Sequence, residues 1–204
     1  MKWINYLDFK KGMDMLDSPE EVHFYWYLQE LKHLGIIKGF RTNVEPFELS
    51  EKKERSYIDK IKTKSKTGVQ TLLREHSYKP DYVVLWNEIY KDIFYSCYKS
   101  DMKLALIWRG EYVKRPFITN GNVSHIDIKG SYTLRNSDNA IFSVNRKWVM
   151  DRYGVYIDKI TVPDVFIKTF TPNRYLYTDK TQSIRTSMKW QDRTIHQYFN
   201  LISK

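Results

Sequence analysis

His125-Ile126-Asp127-Ile128-Lys129-Gly130 alternates apolar and charged residues with the two-residue period of a β-strand. Successive side chains of an extended chain point to opposite faces. Ile126 and Ile128 therefore seek a core, while Asp127 and Lys129 stand side by side on the other face. A lone Asp-x-Lys on a strand is most often an ordinary solvated face. A second segment changes its weight. Pro80-Asp81 heads the unbroken apolar run Tyr82-Val83-Val84-Leu85-Trp86, which reads as a buried strand. If the two strands pair, two carboxylates and one ammonium converge.

Working outward, Ser18-Pro19-Glu20-Glu21 reads as a helix start, with Ser18 as N-cap, Pro19 at the first helical position and Glu21 three residues after the cap. The helix is expected to run to about Leu34 and stop at Gly35. Glu21, Phe24, Leu28 and Leu31 share one face, so a carboxylate begins an apolar stripe. Residues 36–49 have strand character, broken or set at an edge by Pro46. Residues 50–68 are polar and rich in lysine, and read as a mobile basic loop or an excursion of the chain. A short strand is expected at Val69–Leu73, a helix at about Ile141–Tyr153 ending at Gly154, and a strand at Val155–Val162. Residues 87–122 are aromatic-rich and read as added strands or a hairpin. The expected class is α/β, a mixed β-sheet flanked by helices. The core spans 1–162, and a basic, aromatic C-terminal extension covers 163–204.

Composition narrows the function. With 204 residues, 42% of them hydrophobic, the chain has enough apolar material for a real core. No run of 18 or more apolar residues is present, so no membrane span and no membrane partner are expected. The segment Met1–Asp8 lacks the apolar centre of a signal peptide, and Cys97 is the single cysteine. Together they suggest a reducing, cytoplasmic setting without disulfides or a cysteine-based zinc site. A net charge of +10 suits a polyanionic partner, DNA above all.

The chemistry follows from the carboxylates. Two close carboxylates repel, and one pKa rises unless a cation sits between them. Mg²⁺, a hard ion that takes oxygen ligands, relieves that repulsion and polarises a phosphodiester. Lys129 is placed to orient the attacking water or to stabilise charge on phosphate. Glu21 offers a third carboxylate, although its neighbour Glu20 competes for the role.

The order Glu21, Pro80-Asp81, Asp127-Ile128-Lys129 resembles the PD-(D/E)xK nuclease superfamily. Ser18-Pro19-Glu20-Glu21 looks like the first helix of phage-type Holliday-junction resolvase-like members and of transposon end-cutting nucleases. Val44-Glu45-Pro46-Phe47 resembles their Gln-Pro strand, with Glu45 in place of Gln. Phe142-Ser143-Val144-Asn145-Arg146-Lys147-Trp148 resembles the helix after the Asp-x-Lys strand. The resemblance covers roughly residues 18–162 and implies a restriction-endonuclease-like core. It implies Mg²⁺, with Mn²⁺ as a substitute, held by Asp81, Asp127, the Ile128 carbonyl and Glu21. It implies catalysis by Glu21, Asp81, Asp127 and Lys129 on branched or recombining DNA, and phage origin would place that chemistry in a host cytoplasm. Arg146 and Lys147 are then expected to contact DNA, Lys147 being the better match to the family's auxiliary basic residue. Symmetric cuts need two sites, so resolvase-like action favours a homodimer. The long interval between Asp81 and Asp127 implies an insertion at 87–122.

Other patterns are weaker. Asp92, Asp101 and Glu111 are rival ligands with no lysine at strand spacing. His23, His33, His76, His125 and His196 show no metal-ligand spacing, and His125 reads equally as a packed strand residue or a phosphate contact. Gly154-Val155-Tyr156-Ile157 reads as a core strand rather than half of a different nuclease motif. Arg174-Tyr175-Leu176-Tyr177 and Met188-Lys189-Trp190 could stack on bases or pack on the core. Lys60, Lys62, Lys64 and Lys66 are expected to grip phosphates without reading sequence.

Overall fold

Ser18 opens helix α1 (Pro19–His33) by accepting from the Glu21 amide at 3.2 Å while its hydroxyl donates to Glu21 Oε1 at 2.7 Å. The Asp17 amide donates to Glu21 Oε2 at 3.2 Å. Such a reciprocal cap is worth about 1 kcal/mol. The far end closes as a Schellman motif: Ile36 N–H reaches the Leu31 carbonyl at 2.9 Å and Gly35 N–H reaches Lys32 at 3.0 Å. Gly35 sits at φ +70, where a side chain would be strained. Phe24, Tyr27, Leu28 and Leu31 are fully buried along the helix, each worth about 2 kcal/mol of transfer free energy.

The computed structural model describes residues 16–42, 44–61, 64–89, 122–129, 137–178, 182–184 and 192–202. Its central sheet joins β1 (Ile37–Arg41), β6 (Tyr82–Trp86), β7 (Val123–Ile128) and β8 (Ile157–Ile160) in that order. β1–β6 and β6–β7 are antiparallel and β7–β8 is parallel, so the sheet is mixed. Helix α2 (Ser137–Tyr153) makes the crossover that a parallel pair requires. It begins four residues before the expected start, and Gly154 follows it at φ +64.

Two apolar layers enclose the sheet. On one side α1 packs on Tyr82, Val84, Trp86, Ile126, Ile128 and Ile160. On the other, Phe142 and Val149 of α2 meet Leu49, Val155 and Ile157. Leu49 belongs to β2 (Phe47–Ser50), which pairs with β5 (His76–Tyr78). Arg152 donates to the Leu49 carbonyl and Tyr153 to the Glu48 carbonyl, both at 2.7 Å, which ties this small sheet to α2. Pro46 lies in the break between β1 and β2, as its chemistry required.

Two expectations change. Residues 50–68 do not form a loop: β3 (Lys53–Ile61) and β4 (Lys64–Leu73) pair along their length as an antiparallel ribbon. Its polarity hid it, because a strand with both faces in water needs no apolar alternation. The expected strand at Val69–Leu73 is the second half of β4. The chain after 162 also does more than extend the core. Helices α3 (Val162–Lys168), α4 (Asn173–Leu176) and α5 (Ile195–Ile202) follow β8, and Val162, Val165, Phe166, Phe170, Ile195 and Tyr198 join the α1-side core. Tyr27 stacks on Phe170 with centroids 4.2 Å apart. The expected insertion at 87–122 falls outside the described residues, apart from 87–89 and 122. Among the described residues no helix is long and apolar enough to cross a membrane.

Candidate active site

The register of β6 and β7 pairs Tyr82 with Ile126 and Val83 with His125. One further step of that antiparallel count sets Asp81 opposite Asp127. Alternation then decides the face. Tyr82, Val84, Ile126 and Ile128 point into the α1-side core, so Asp81 and Asp127 share the opposite face with Lys129. The convergence expected from sequence is therefore present at the end of the β6–β7 pair.

Burial raises the Asp81 carboxyl above the usual carboxylate range, and the charge of Asp127 raises it further. The Ile128 amide, donating to Asp81 Oδ2 at 2.6 Å, opposes that rise. Glu21 adds its charge, and Asp127 lies within hydrogen-bonding reach. Lys129 Nζ is 2.7 Å from Asp127 Oδ2; Asp127 is only 5% exposed and Lys129 23%. The ammonium thus neutralises a nearly dry carboxylate while keeping contact with solvent. It also stands 5.4 Å from the Phe142 ring centroid, so α2 helps to fix it.

Glu21 comes near without joining the pair. Both of its oxygens serve the cap of α1. Its charge is nevertheless felt at Asp81 and at Tyr82, whose hydroxyl donates to the Glu21 carbonyl at 2.7 Å. The buried Phe24, Tyr27, Leu28 and Leu31 stand at helical spacing from both Glu20 and Glu21, and it is the charge of Glu21 that reaches Asp81. Among the described residues, no group of three or more His, Cys, Asp or Glu is arranged to hold a metal ion.

Two neighbours, Tyr78 and Phe142, escaped the sequence. Tyr78 lies beside the pair: burial, then the charges of Asp127 and Asp81, push its phenol far above its usual range, so it stays neutral. The charge of Arg146 opposes this rise. Phe142 supports Lys129. Arg146, not Lys147, is turned toward the site; its guanidinium stands 5.5 Å from the Phe142 centroid and 5.3 Å from Tyr156. Lys147 is exposed. The burial of Phe142, Asn145 and Val149 sets this phase, and without it neither basic residue could be preferred.

The remaining candidates separate. Lys60, Lys64 and Lys66 are exposed on the β3–β4 ribbon, and Lys62 lies outside the described residues. So do Asp92, Asp101, Glu111, Lys189 and Trp190. His125 packs 5.7 Å from the Phe47 ring, and burial lowers its pKa, so it is a neutral packed histidine. Arg174 stacks 5.2 Å over Trp26, and Tyr175 meets His23 edge-on, so this tail segment packs on α1. Val155 and Ile157 are core residues, as read. The chain matches no protein-family model, no curated protein and no solved structure.

Proposed function

We propose that the chain is a Mg²⁺-dependent endodeoxyribonuclease with its reacting centre at Asp81, Asp127 and Lys129. One observation carries the reading: β6–β7 register sets the two carboxylates opposite each other on one face, with the Lys129 ammonium 2.7 Å from one of them. A merely solvated strand face gains nothing from burying two acids against each other, since burial and mutual charge raise Asp81.

The donor set fits Mg²⁺. That ion is commonly held by one or two carboxylates, with water and phosphate completing its shell. Asp81 and Asp127 are the two carboxylates, and the Ile128 carbonyl follows the same strand edge as the amide that meets Asp81. When bound there, Mg²⁺ supplies Lewis-acid polarisation of the scissile phosphodiester. Lys129, partly exposed beside Asp127, is positioned to donate to a phosphate oxygen or to orient the attacking water. Tyr78, kept neutral, holds a hydroxyl proton beside Asp127. Glu21 acts through its charge and through the cap that fixes α1 beside Asp81. The order helix, antiparallel strands, helix, parallel strand is what a restriction-endonuclease-like core would present. Branched DNA as the preferred substrate, and a homodimer as the acting form, rest on the PD-(D/E)xK resemblance.

A second reading has its own support. Glu21 is committed to the helix cap, and Lys129 closes on Asp127, as in a site that only binds nucleic acid. Incubation with a four-way junction and with linear duplex in Mg²⁺ separates the two. The nuclease reading expects nicked products that EDTA abolishes and Mn²⁺ restores. Binding to both DNAs with no product under any of these conditions establishes the non-catalytic alternative.

A further inference from the structure

The β3–β4 ribbon is the least economical part of the molecule as a structural element. From Glu51 to Glu75 every described side chain is exposed, and Gly68 alone is shielded, under the Tyr57 ring. A Cβ at Gly68 would come within 2.6 Å of that ring, so Tyr57 and Gly68 form one interlocked cross-strand pair. An isolated two-stranded hairpin is marginal in water. Here pairing runs from Lys53 opposite Leu73 to Ile61 opposite Lys64 with no core beneath it.

Its charge is one-sided. Between Lys52 and Arg74 there are eight Lys and Arg against two acids, a net of +6. The acids are locally answered: Glu54 pairs with Lys52 at 2.5 Å, and Asp59 stands opposite Lys66. Lys60, Lys64 and Lys66 cluster toward the end of the ribbon far from the core. Ser56, Thr67, Gln70 and Thr71 lie between the cations, together with the exposed Ile58 and Val69.

The ribbon is also rooted at the candidate site. Residues 51–52 join β2 to β3 and residues 74–75 join β4 to β5, so the ribbon follows directly in the chain on the small sheet that sets Phe47 opposite Tyr78. Tyr78 is the residue whose buried phenol feels the charges of Asp127 and Asp81. Ten residues of β4 span about 30 Å at about 3.3 Å each. That is close to one turn of duplex DNA, about 34 Å.

On the reading of the chain as acting on DNA, we infer that the β3–β4 ribbon is an arm that lies in the major groove of duplex DNA next to the scissile phosphodiester. The major groove, about 12 Å wide, admits a two-stranded ribbon, whereas the minor groove is about half as wide. Lys60, Lys64 and Lys66 meet the phosphate walls. Ser56, Thr67 and Thr71, which share one face of the ribbon with Ile58 and Val69 by cross-strand register, present hydrogen-bonding groups to base edges, and Ile58 and Val69 suit thymine methyls. A second copy of the chain is the rival occupant. Stacking two ribbons of net +6 against each other is electrostatically unfavourable, and lysine-studded edges discourage strand addition.

The test is binding of the full-length chain to a linear duplex in EDTA, where cleavage is silent. Salt dependence is compared between the unmodified chain and the triple variant Lys60→Gln, Lys64→Gln, Lys66→Gln. The arm predicts a log–log slope flatter by about one unit per lost contact, up to about three. It also predicts that a duplex whose cytosines carry glucosylated hydroxymethyl groups, which fill the major groove, binds the unmodified chain at least about tenfold more weakly, while netropsin in the minor groove leaves binding unchanged. An unchanged slope in the triple variant overturns the arm. A flattened slope with no response to the major-groove sugar overturns the groove placement. If light scattering shows a dimer that the triple variant abolishes while the slope holds, a second copy is the occupant and the inference fails. All of these substitutions are on exposed side chains, and circular dichroism checks that the fold is intact. Cleavage by the unmodified chain in Mg²⁺ decides the reacting centre separately and does not enter this result.

Discussion

Two strand pairs in this chain meet opposite requirements. β6 and β7 lie between two apolar layers and bring Asp81 opposite Asp127 where little water reaches. β3 and β4 stand with both faces in water and carry lysines that no core could accept. The same backbone pairing serves both, so the environment decides the chemistry. At the buried pair a carboxylate charge is expensive, and that expense is what makes an added cation favourable. On the ribbon each charge stays hydrated, worth little to stability and much to attraction of a polyanion. The lesson is that one strand pair can be specified by a dry face and another by almost nothing but pairing and charge.

The largest effect that could break this contrast comes from the carboxylates. Asp127→Asn or Asp81→Asn is expected to lower DNA cleavage by about a thousandfold or more while leaving duplex binding intact or tighter, since a negative charge facing phosphate is removed. Single-turnover cleavage and filter binding measure the two arms. Next is Lys129→Ala, expected to cost about 10²–10³-fold in turnover, in line with loss of one preorganised donor. A lysine that only hydrates a strand would give near-full turnover.

Stability sharpens the contrast further. Leu28→Ala, in the fully buried stripe of α1, should cost about 3 kcal/mol in urea unfolding. Glu30 adds a pH signature. Burial pushes its carboxyl up to about 7 from an ordinary 4.5, against the Asn173 amide that donates to it at 2.5 Å. Between those two values the folded state keeps a proton that the unfolded chain has lost. Stability from this group therefore falls as pH rises from about 4.5 to about 7 and levels off above. Glu30→Gln should remove up to about 3 kcal/mol of that slope, read as unfolding free energy at pH 5 against pH 8. An identical slope in the variant would place the titration elsewhere. The smallest effect belongs to the ribbon: Ile58→Ala, 69% exposed, should change stability by less than about 0.5 kcal/mol. A loss like that of Leu28→Ala would mean that the ribbon is packed against something.

How much was legible in sequence follows the same division. Ser18, Pro19 and Gly35 marked both ends of α1 because caps depend on local chemistry. Alternation around Ile126 and the apolar run after Asp81 gave the strands and the face of each acid, because one side of each strand is dry. The ribbon reads as a loop in sequence because neither of its faces is dry. The residues after Pro163 were read as an extension because their buried side chains fall in short helices with no long apolar period. Tyr78 is brought near Asp127 by the β2–β5 pairing, and the preference for Arg146 over Lys147 comes from the phase of α2; both are tertiary facts.

The central claim is that Asp81 and Asp127 act as one cation-holding pair. Electron paramagnetic resonance titration of Mn²⁺ at neutral pH tests it most directly, comparing the unmodified chain with Asp81→Asn and with Asp127→Asn. The account predicts a bound Mn²⁺ in the unmodified chain, released on adding Mg²⁺, and weakened at least about tenfold by either substitution. Equal Mn²⁺ affinity and stoichiometry in all three proteins would contradict it.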